Sequence, residues 1–248
     1  MEQPASKTVN YSFIIIMVAS LLISFASLMP SAQAAESTAV AKAKLSKYLL
    51  KNIKNHKEKI NVSKYNTSFL KSGFAICDFY DEFLLNYPES YPVNNNKGVM
   101  YWTKGKKLVK IGIKYSFSRK QQKTAQQKYT KELNKIVKNA KKKKKVQDRI
   151  KSVNSQMCKR ISYSNKSKNS YNAYGAIVER KAVCMGYALA FKAAMDKMKI
   201  PCKYGKNLRE DHLWNKVKVG KKWYVVDVTW NDATKKNSYL LTKKHPLQ

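Results

Sequence analysis

The feature that most constrains this chain is a helix-forming segment followed by two strand-forming segments near the C-terminus. Beginning at Cys184, apolar residues recur with helical spacing through Met198, which predicts a helix with one buried face. Residues 212–219 and 222–229 both have strand character, and a short turn separates them. The sequence therefore predicts a helix that starts at a cysteine and an antiparallel hairpin that follows it.

The predicted hairpin brings a histidine and an aspartate together. A turn around Val219-Gly220, or a four-residue loop over residues 218–221, pairs His212 directly with Asp227. Paired residues point to the same face, so the carboxylate is expected to accept the imidazole N–H. A slip of one residue would separate the two side chains. The alternative is that His212 is a core histidine and Asp227 an unrelated strand carboxylate.

Cys184 is expected in the first turn of its helix. The free amide hydrogens and partial positive charge of a helix N-terminus favour a thiolate and can hold the oxyanion of a tetrahedral intermediate. Gly186 would let another segment approach this turn closely. Thiol, imidazole and carboxylate together would form a Cys-His-Asp relay suited to acyl transfer. The alternative is a buried helix cysteine without chemistry.

The other polar candidates are weaker. His56 lies in a lysine-rich helix and His245 in the C-terminal tail, and neither has apolar neighbours that suit a site. Asp232 follows the second strand and is expected to cap a turn. The sequence has no close-spaced pair of Cys or His ligands, so we expect no metal, and we predict no cofactor.

The first residues have the pattern of an export signal. Residues 1–7 are short and polar, residues 13–29 are almost entirely apolar, and Ala32-Gln33-Ala34 has the small-x-small pattern of a cleavage site. We predict a signal peptide over residues 1–34. An uncleaved membrane anchor is the alternative. Either one predicts a secreted protein at the cell surface or cell wall.

The net charge of +35 predicts anionic partners. Outside a cell these are wall polymers, acidic glycans and anionic headgroups of the membrane surface, which attract lysines in a salt-sensitive way. Specific nucleic-acid binding is not expected, because the chain carries an export signal and lacks RNP, zinc-finger and helix-turn-helix signatures. Residues 141–145 are predicted to be a solvated helix end or loop.

Four cysteines in an exported chain favour disulfides by default. If Cys184 stays a free thiol, at most one bridge can form among the other three. These are Cys77, Cys158 and Cys202. Cys158 with Cys202 is a candidate pair, and the sequence leaves the pairing open.

The residues ahead of the cysteine helix are predicted to be mostly helical, with one hairpin. The predicted elements are helices over residues 37–59 and 69–86, strands over 99–103 and 108–117, and a helical stretch over 121–162 that is broken near the lysine run. No linker divides the chain. The lysine run gives the best boundary, which predicts an N-terminal region over residues 35–146 and a core over 147–248.

The C-terminal segments resemble the transglutaminase-like (transglutaminase core) superfamily in its bacterial secreted form. Its members have a V-C-x-G-Y-A helix start, an H-x-W-N strand and a W-Y-x-V-D-x-T-W strand. The corresponding segments here are Val183-Cys184-Met185-Gly186-Tyr187-Ala188, His212-Leu213-Trp214-Asn215 and Trp223-Tyr224-Val225-Val226-Asp227-Val228-Thr229-Trp230. The resemblance runs from about Ile150 to the end of the chain.

This resemblance implies an α+β fold of the papain-like, transglutaminase-core type, in which a helix carrying the cysteine packs on an antiparallel sheet carrying the histidine and aspartate. It implies Cys184 as the nucleophile, His212 as base and then acid, and Asp227 as the residue that orients the imidazole. The chain departs from the family pattern at Leu213, where many members have Ala, and at Asn231, where many have Asp. Neither departure falls on one of these three positions.

The resulting hypothesis is an exported cysteine-dependent amide acyl-transfer enzyme, either a peptidase or amidohydrolase or a protein cross-linking transglutaminase, with a protein or peptide substrate. The alternative is a non-catalytic basic module that binds the cell wall with the same fold. The sequence leaves open the substrate, the choice between hydrolysis and transamidation, the side chain of the oxyanion hole, the role of the N-terminal region and the oligomeric state.

Overall fold

The computed structural model describes residues 29–94, 98–207 and 212–247. The helices are α1 (Met29–Lys54), α2 (Gly73–Asn86), α3 (Arg119–Lys141), α4 (Val146–Arg160), α5 (Cys184–Lys197) and α6 (Val228–Thr234). The strands are β1 (Lys59–Asn61), β2 (Met100–Lys104), β3 (Lys107–Gly112), β4 (Ser162–Tyr163), β5 (Lys181–Ala182), β6 (Cys202–Asn207), β7 (His212–Val219), β8 (Lys222–Val226) and β9 (Leu240–Thr242). Within this part, residues 29–90 and 98–114 form one compact unit, and residues 91–94 and 115–247 form a second.

The first unit contains α1, α2 and a three-stranded antiparallel sheet in the order β1-β3-β2. One side of α1 faces the core, since Leu45, Leu49 and Ile53 are fully buried. The predicted hairpin is present as β2 and β3, joined at Gly105-Lys106. Strand β1 extends this hairpin into a sheet and was not predicted, because three residues give too short a pattern to recognise.

The second unit begins with the helix pair α3 and α4. Their separation at residues 142–145 confirms the predicted break at the lysine run, and these lysines are exposed. Helix α3 starts with a capping box, in which the Ser118 hydroxyl accepts from the backbone of Gln121 and the Gln121 side chain accepts from the backbone of Ser118. Since α3 packs on α4 and α5, it belongs to the second unit. The division between units therefore falls near residue 114, ahead of the predicted boundary at 146.

A four-stranded antiparallel sheet, in the order β6-β7-β8-β9, forms the other layer of this unit. Helix α5 packs against β7, and one buried hydrogen bond ties them directly, from Asn215 Nδ2 to the Ala188 carbonyl at 3.1 Å. The α+β class is confirmed: a helix that begins at Cys184 packs on an antiparallel sheet that begins its second strand at His212.

The register of the β7–β8 hairpin differs from the prediction. Val219 pairs with Lys222, so the turn is Gly220-Lys221, with Gly220 at a φ of 59°. This two-residue turn shifts the pairing partner by two positions, which keeps every side chain on its predicted face. Strand β8 also ends at Val226, earlier than predicted, because the chain turns into α6 at Val228.

Most of the predicted signal peptide lies outside this description, since residues 1–28 are beyond the described range, and its last six residues, 29–34, form the start of α1. Across the described residues, we find no helix with both the length and the hydropathy needed to cross a bilayer.

Candidate active site

Cys184 is the first residue of α5. Val183 precedes it in an extended conformation, and no side chain in the described part of the chain caps this end of the helix. The first-turn amides therefore point toward the space in front of the cysteine, as the sequence predicts. The Val183 amide is fixed separately by donating to the Ser170 carbonyl at 3.0 Å.

Gly186 explains how the loop before the helix reaches the cysteine turn. A Cβ at this position would lie 2.5 Å from the Ser170 carbonyl oxygen and 2.8 Å from the Ala182 methyl carbon. Real Cβ atoms do not make contacts this short, so only glycine fits. The predicted close approach of another segment is confirmed, and the segment is the loop containing Ser170 and Asn172.

His212 stands between the thiol and the carboxylate. Its Nε2 lies 2.6 Å from Asp227 Oδ2, and the ring also forms a side-chain hydrogen bond with Cys184. Because Nε2 faces the carboxylate, Nδ1 is the nitrogen left for the thiol. The structure therefore brings the three predicted residues together in one hydrogen-bonded chain.

Asp227 is buried with both carboxylate oxygens engaged, and its side chain is almost fully removed from solvent. It is the N-cap of α6: Oδ1 accepts from the Trp230 amide at 3.0 Å. Its own amide donates to the Tyr239 carbonyl at 2.9 Å. These contacts fix the side chain from two sides and leave Oδ2 to the imidazole of His212.

A second imidazole shares this oxygen, and the sequence prediction for it was wrong. His245 Nε2 lies 3.0 Å from Asp227 Oδ2, and the His245 residue is only 2% exposed. The Leu247 amide donates to His245 Nδ1 at 3.2 Å, so Nε2 carries the hydrogen that Asp227 accepts. His245 is therefore a buried partner of the site rather than a tail residue outside it.

Aromatic rings enclose both imidazoles. The Trp214 ring stacks on His245 with centroids 3.9 Å apart and an interplanar angle of 10°, and the Trp230 ring stacks on His212 at 5.1 Å. The Trp214 ring fits because its partner in β6 is Gly205, where a Cβ would lie 2.2 Å from the indole nitrogen. The tryptophans of both strand motifs thus keep water away from the Asp227 carboxylate.

The electrostatics of the pair favour an ion pair. Burial acts to lower the pKa of His212, but the hydrogen bonds and charges of Asp227 and Cys184 outweigh it and raise the pKa to about 9. Burial acts to raise the pKa of Asp227, and the hydrogen bonds from His212 and His245 outweigh it and lower that pKa. At neutral pH the site therefore holds a carboxylate and an imidazolium.

The other three cysteines are separate thiols, so the candidate bridge between Cys158 and Cys202 does not form. Burial raises the pKa of each of these two thiols to about 12. Cys158 lies beneath α6, with its sulfur 3.7 Å from the Val228 carbonyl, and Cys202 accepts from Asn215. Burial also raises the pKa of the Cys77 thiol. All four cysteines are free in the structure, including Cys184.

Asp232 was predicted to cap a turn, and its main contacts lie elsewhere. Its Oδ2 accepts from the Tyr187 hydroxyl at 2.6 Å, which joins α6 to the cysteine helix in the core. Its Oδ1 pairs with Lys235 at 2.7 Å. The contact between Tyr187 and Asp232 holds the helix that carries Cys184 against the helix that Asp227 caps.

One group of side chains in the described part of the chain has the donor atoms for a metal. The ring nitrogens of His212 and His245 and the carboxylate of Asp227 lie within 4.8 Å of one another. The nitrogen-to-oxygen distances of 2.6 and 3.0 Å fit hydrogen bonds, whereas ligands around zinc lie about 3.3 Å apart. The prediction that the site uses no metal stays a prediction.

Comparison with known proteins identifies the region that carries these residues. The family model of the transglutaminase-like superfamily matches residues 131–228. This part of the chain is therefore similar to the transglutaminase-like superfamily. The match confirms the resemblance predicted from the sequence, although it begins within α3, earlier than Ile150, and it leaves out the tail that contains His245.

Two solved structures share a distant similarity with the chain. One is the crystal structure of a TGase, with 15% identity, 54% of this chain and 44% of that chain covered, and a TM-score of 0.37. The other is a candidate cysteine protease from Cytophaga hutchinsonii, with 15% identity, 56% and 62% covered, and a TM-score of 0.34. The chain thus spans less than two thirds of either one. No curated protein matches the chain.

Proposed function

We propose that this protein is a cysteine-dependent amide acyl-transfer enzyme, with Cys184 as nucleophile, His212 as proton carrier and Asp227 as the residue that orients the imidazole. The observation that carries the proposal is the position of His212, whose ring forms hydrogen bonds with the side chains of both Cys184 and Asp227. The match of residues 131–228 to a superfamily that includes cysteine-dependent enzymes supports the same conclusion.

In the first half of the reaction Cys184 attacks the carbonyl carbon of a carboxamide or peptide bond as a thiolate, with the imidazolium of His212 holding the proton. The carbonyl becomes a tetrahedral oxyanion, which the first-turn amides of α5 are placed to stabilise. The imidazolium of His212 then gives its proton to the departing nitrogen, the C–N bond breaks, and a thioester remains on Cys184.

In the second half, neutral His212 takes a proton from water or from an amine, which attacks the thioester carbon. The sulfur leaves, and the imidazolium and the cysteine sulfur return to their first state. Water yields hydrolysis and an amine yields transamidation. We propose hydrolysis as the main outcome, because no described feature provides a defined site for an amine.

The test incubates the purified protein with a glutamine-rich protein and a labelled primary amine. Amine incorporation identifies a transferase, and release of ammonia or peptides alone identifies a hydrolase. Absence of both, with each assay validated on a known enzyme, would favour the alternative, a non-catalytic basic module, for which the charge of +35 is the supporting observation.

We also propose that the protein acts outside the cell, at the surface or wall, because of the signal-peptide pattern over residues 1–34. Its excess of cations would concentrate it on anionic wall polymers or on the membrane surface. A specific nucleic-acid role is not part of this proposal.

A further inference from the structure

One face of α3 carries lysines along its full length. Lys120, Lys128, Lys131 and Lys138, together with Lys142 at the C-cap, fall within an arc of about 80° on the helix, and all five are exposed. Lys135 lies in the same arc but is paired with Glu132 at 2.6 Å, so it is not counted among the five. We call these five residues the lysine face. It lies opposite the buried stripe that contains Ala125, Leu133 and Ile136. The face runs for about 33 Å.

The charge on the lysine face is not neutralised within the protein. None of its five ammonium groups forms a salt bridge with a carboxylate in the parts of the chain that the structure describes. The nearby acid, Glu132, is occupied by Lys135 and Arg160. A row of unpaired cations at this spacing repels itself, so an external linear anion would stabilise it.

A groove opens at the N-terminal end of the lysine face. It has a volume of about 520 Å³, and Phe117 and Tyr174 line it together with Lys120 and Lys128. Lys168 adds a further cation, with its Nζ 5.7 Å from the centre of the Phe117 ring. Aromatic rings can pack against an uncharged sugar or polyol unit, and the ammonium groups beside them can bind the phosphates on either side of that unit.

We propose that the lysine face and this groove bind a linear polymer of phosphodiester-linked polyol or sugar units. The proposal deepens the wall-polymer partner given under Proposed function and rests on it. The cations follow one another along the helix axis at intervals of about 12, 4.5, 10.5 and 6 Å. A flexible linear polymer with a single charge on each unit can contact such a line, and the groove matches the uncharged unit between two charges. Binding of this kind would hold the enzyme on the polymer while leaving the Cys184 site free, since no lysine of the face lies in that site.

The test measures binding of soluble poly(glycerol phosphate) to full-length protein across a range of salt concentrations. Lys120, Lys128, Lys131 and Lys138 are replaced together by Gln. The matched control replaces four exposed lysines of the first unit, Lys47, Lys51, Lys71 and Lys106, and has the same net charge. Single-stranded DNA is the second probe. All proteins carry Cys184→Ala, so binding is scored independently of catalysis.

We expect the lysine-face variant to bind at least about tenfold more weakly at low salt, with a salt slope reduced by about 0.7 for each lysine removed. The control should bind much as the parent does. Equal losses in both variants would overturn the surface, since net charge alone would then explain binding. Tighter binding of DNA than of poly(glycerol phosphate) through the same lysines would overturn the proposed partner.

His245 Nε2 donates to the same carboxylate oxygen of Asp227 that serves His212. We infer that His245 is a positioning residue, which acts through Asp227 and sets how much of the carboxylate charge His212 receives. This inference also rests on the proposed function. The titratable groups around the His212 ring are Cys184 from α5, Asp227 before α6 and His245 from the tail.

The test follows the titration of the His212 ring by nuclear magnetic resonance, which does not require activity. In the parent protein the midpoint is expected near pH 9, and the proton that His212 donates is lost above it. In His245→Phe the ring can still stack on Trp214, but Asp227 Oδ2 loses one of its two donors and keeps only His212, so the midpoint should move to higher pH. His245→Gln retains an N–H donor and should restore the parent midpoint.

An unchanged midpoint in His245→Phe, or the same shift in both variants, would show that His245 only fills space and would overturn this role. The alkaline limb of kcat/KM should follow the same order among the three proteins. If the protein proves inactive, the titration still decides the role of His245, so failure of this inference and failure of the proposed function are distinguishable.

Discussion

Cys184→Ala is expected to abolish acyl transfer, with a fall in rate of about 10⁴-fold or more. The substitution removes the sulfur that would form the thioester, and no other thiol in the described part of the chain contacts His212. The measurement is release of ammonia or peptide, together with incorporation of a labelled amine, at neutral pH. Intact-mass spectra should show an acyl adduct on the parent enzyme and none on the variant.

Cys77→Ala is the matched control, because it also removes one thiol but lies in α2 of the other compact unit. It should retain nearly full activity. If Cys184→Ala retained more than a tenth of the parent activity while folding normally, the nucleophile would have to be another group, and the proposed mechanism would be wrong.

Asp227→Asn is expected to produce the second largest loss, a fall in kcat of about 10³- to 10⁴-fold. The amide is nearly the same size and can still cap α6 through its oxygen. With its oxygen on the Trp230 amide, the Asn places its NH2 group where Oδ2 stood, and this group cannot accept the hydrogens of His212 and His245. The imidazolium of His212 also loses its counter-ion. The pKa of His212, which the carboxylate raises to about 9, should fall toward its ordinary value.

The direction in which the pH dependence of kcat/KM shifts distinguishes loss of the carboxylate charge from a general loss of stability. In the parent enzyme the protonated imidazole is present below pH 9 and is lost as the pH rises through that value. In Asp227→Asn the alkaline limb of kcat/KM should move to lower pH. Asp196→Asn, which changes a surface carboxylate paired with Lys192, is the control and should leave the limb in place. A limb that stays near pH 9 in Asp227→Asn contradicts the assigned role.

The parts of the site that follow from local pattern are predictable from the sequence. The helical period after Cys184 and the two strand segments are encoded within single elements, so α5, β7 and most of β8 follow from periodicity. The sequence predicts the turn at Val219-Gly220, whereas the structure has it one position later, at Gly220-Lys221. The partner shift of two residues kept the face of His212 and Asp227, which is why the contact survived the error.

The other parts of the site depend on contacts between segments that are distant in the sequence, and such contacts leave no local pattern. His245 reaches the site because β9 pairs with β8 and carries the tail back beneath Trp214 and Trp230. Its immediate neighbours are Lys244 and Pro246, and they give no sign of burial. The aromatic residues at positions 214, 230 and 239 could have indicated a further ring in the site, since aromatic side chains often stack on one another.

Asp227 shows the same limit in another way. Its role as N-cap of α6 could not be inferred while residues 222–229 were treated as one strand, because Val228 and Thr229 favour strands by propensity. Tertiary contacts override that preference: Thr229 and Asn231 are buried, and Asn231 binds both Asn154 and the Tyr239 amide. The cap and the core contact together start the helix at Val228.

The most direct test of the account is competitive alkylation of the native protein by iodoacetamide at pH 7, with peptide mass spectrometry to rank the four cysteines. We expect Cys184 to react first, well ahead of Cys77, Cys158 and Cys202, and expect this advantage to disappear in His212→Ala, where the thiol loses its imidazole partner. Cys184 reacting no faster than the other three, or reacting equally well without His212, would contradict the claim that the imidazole activates this thiol.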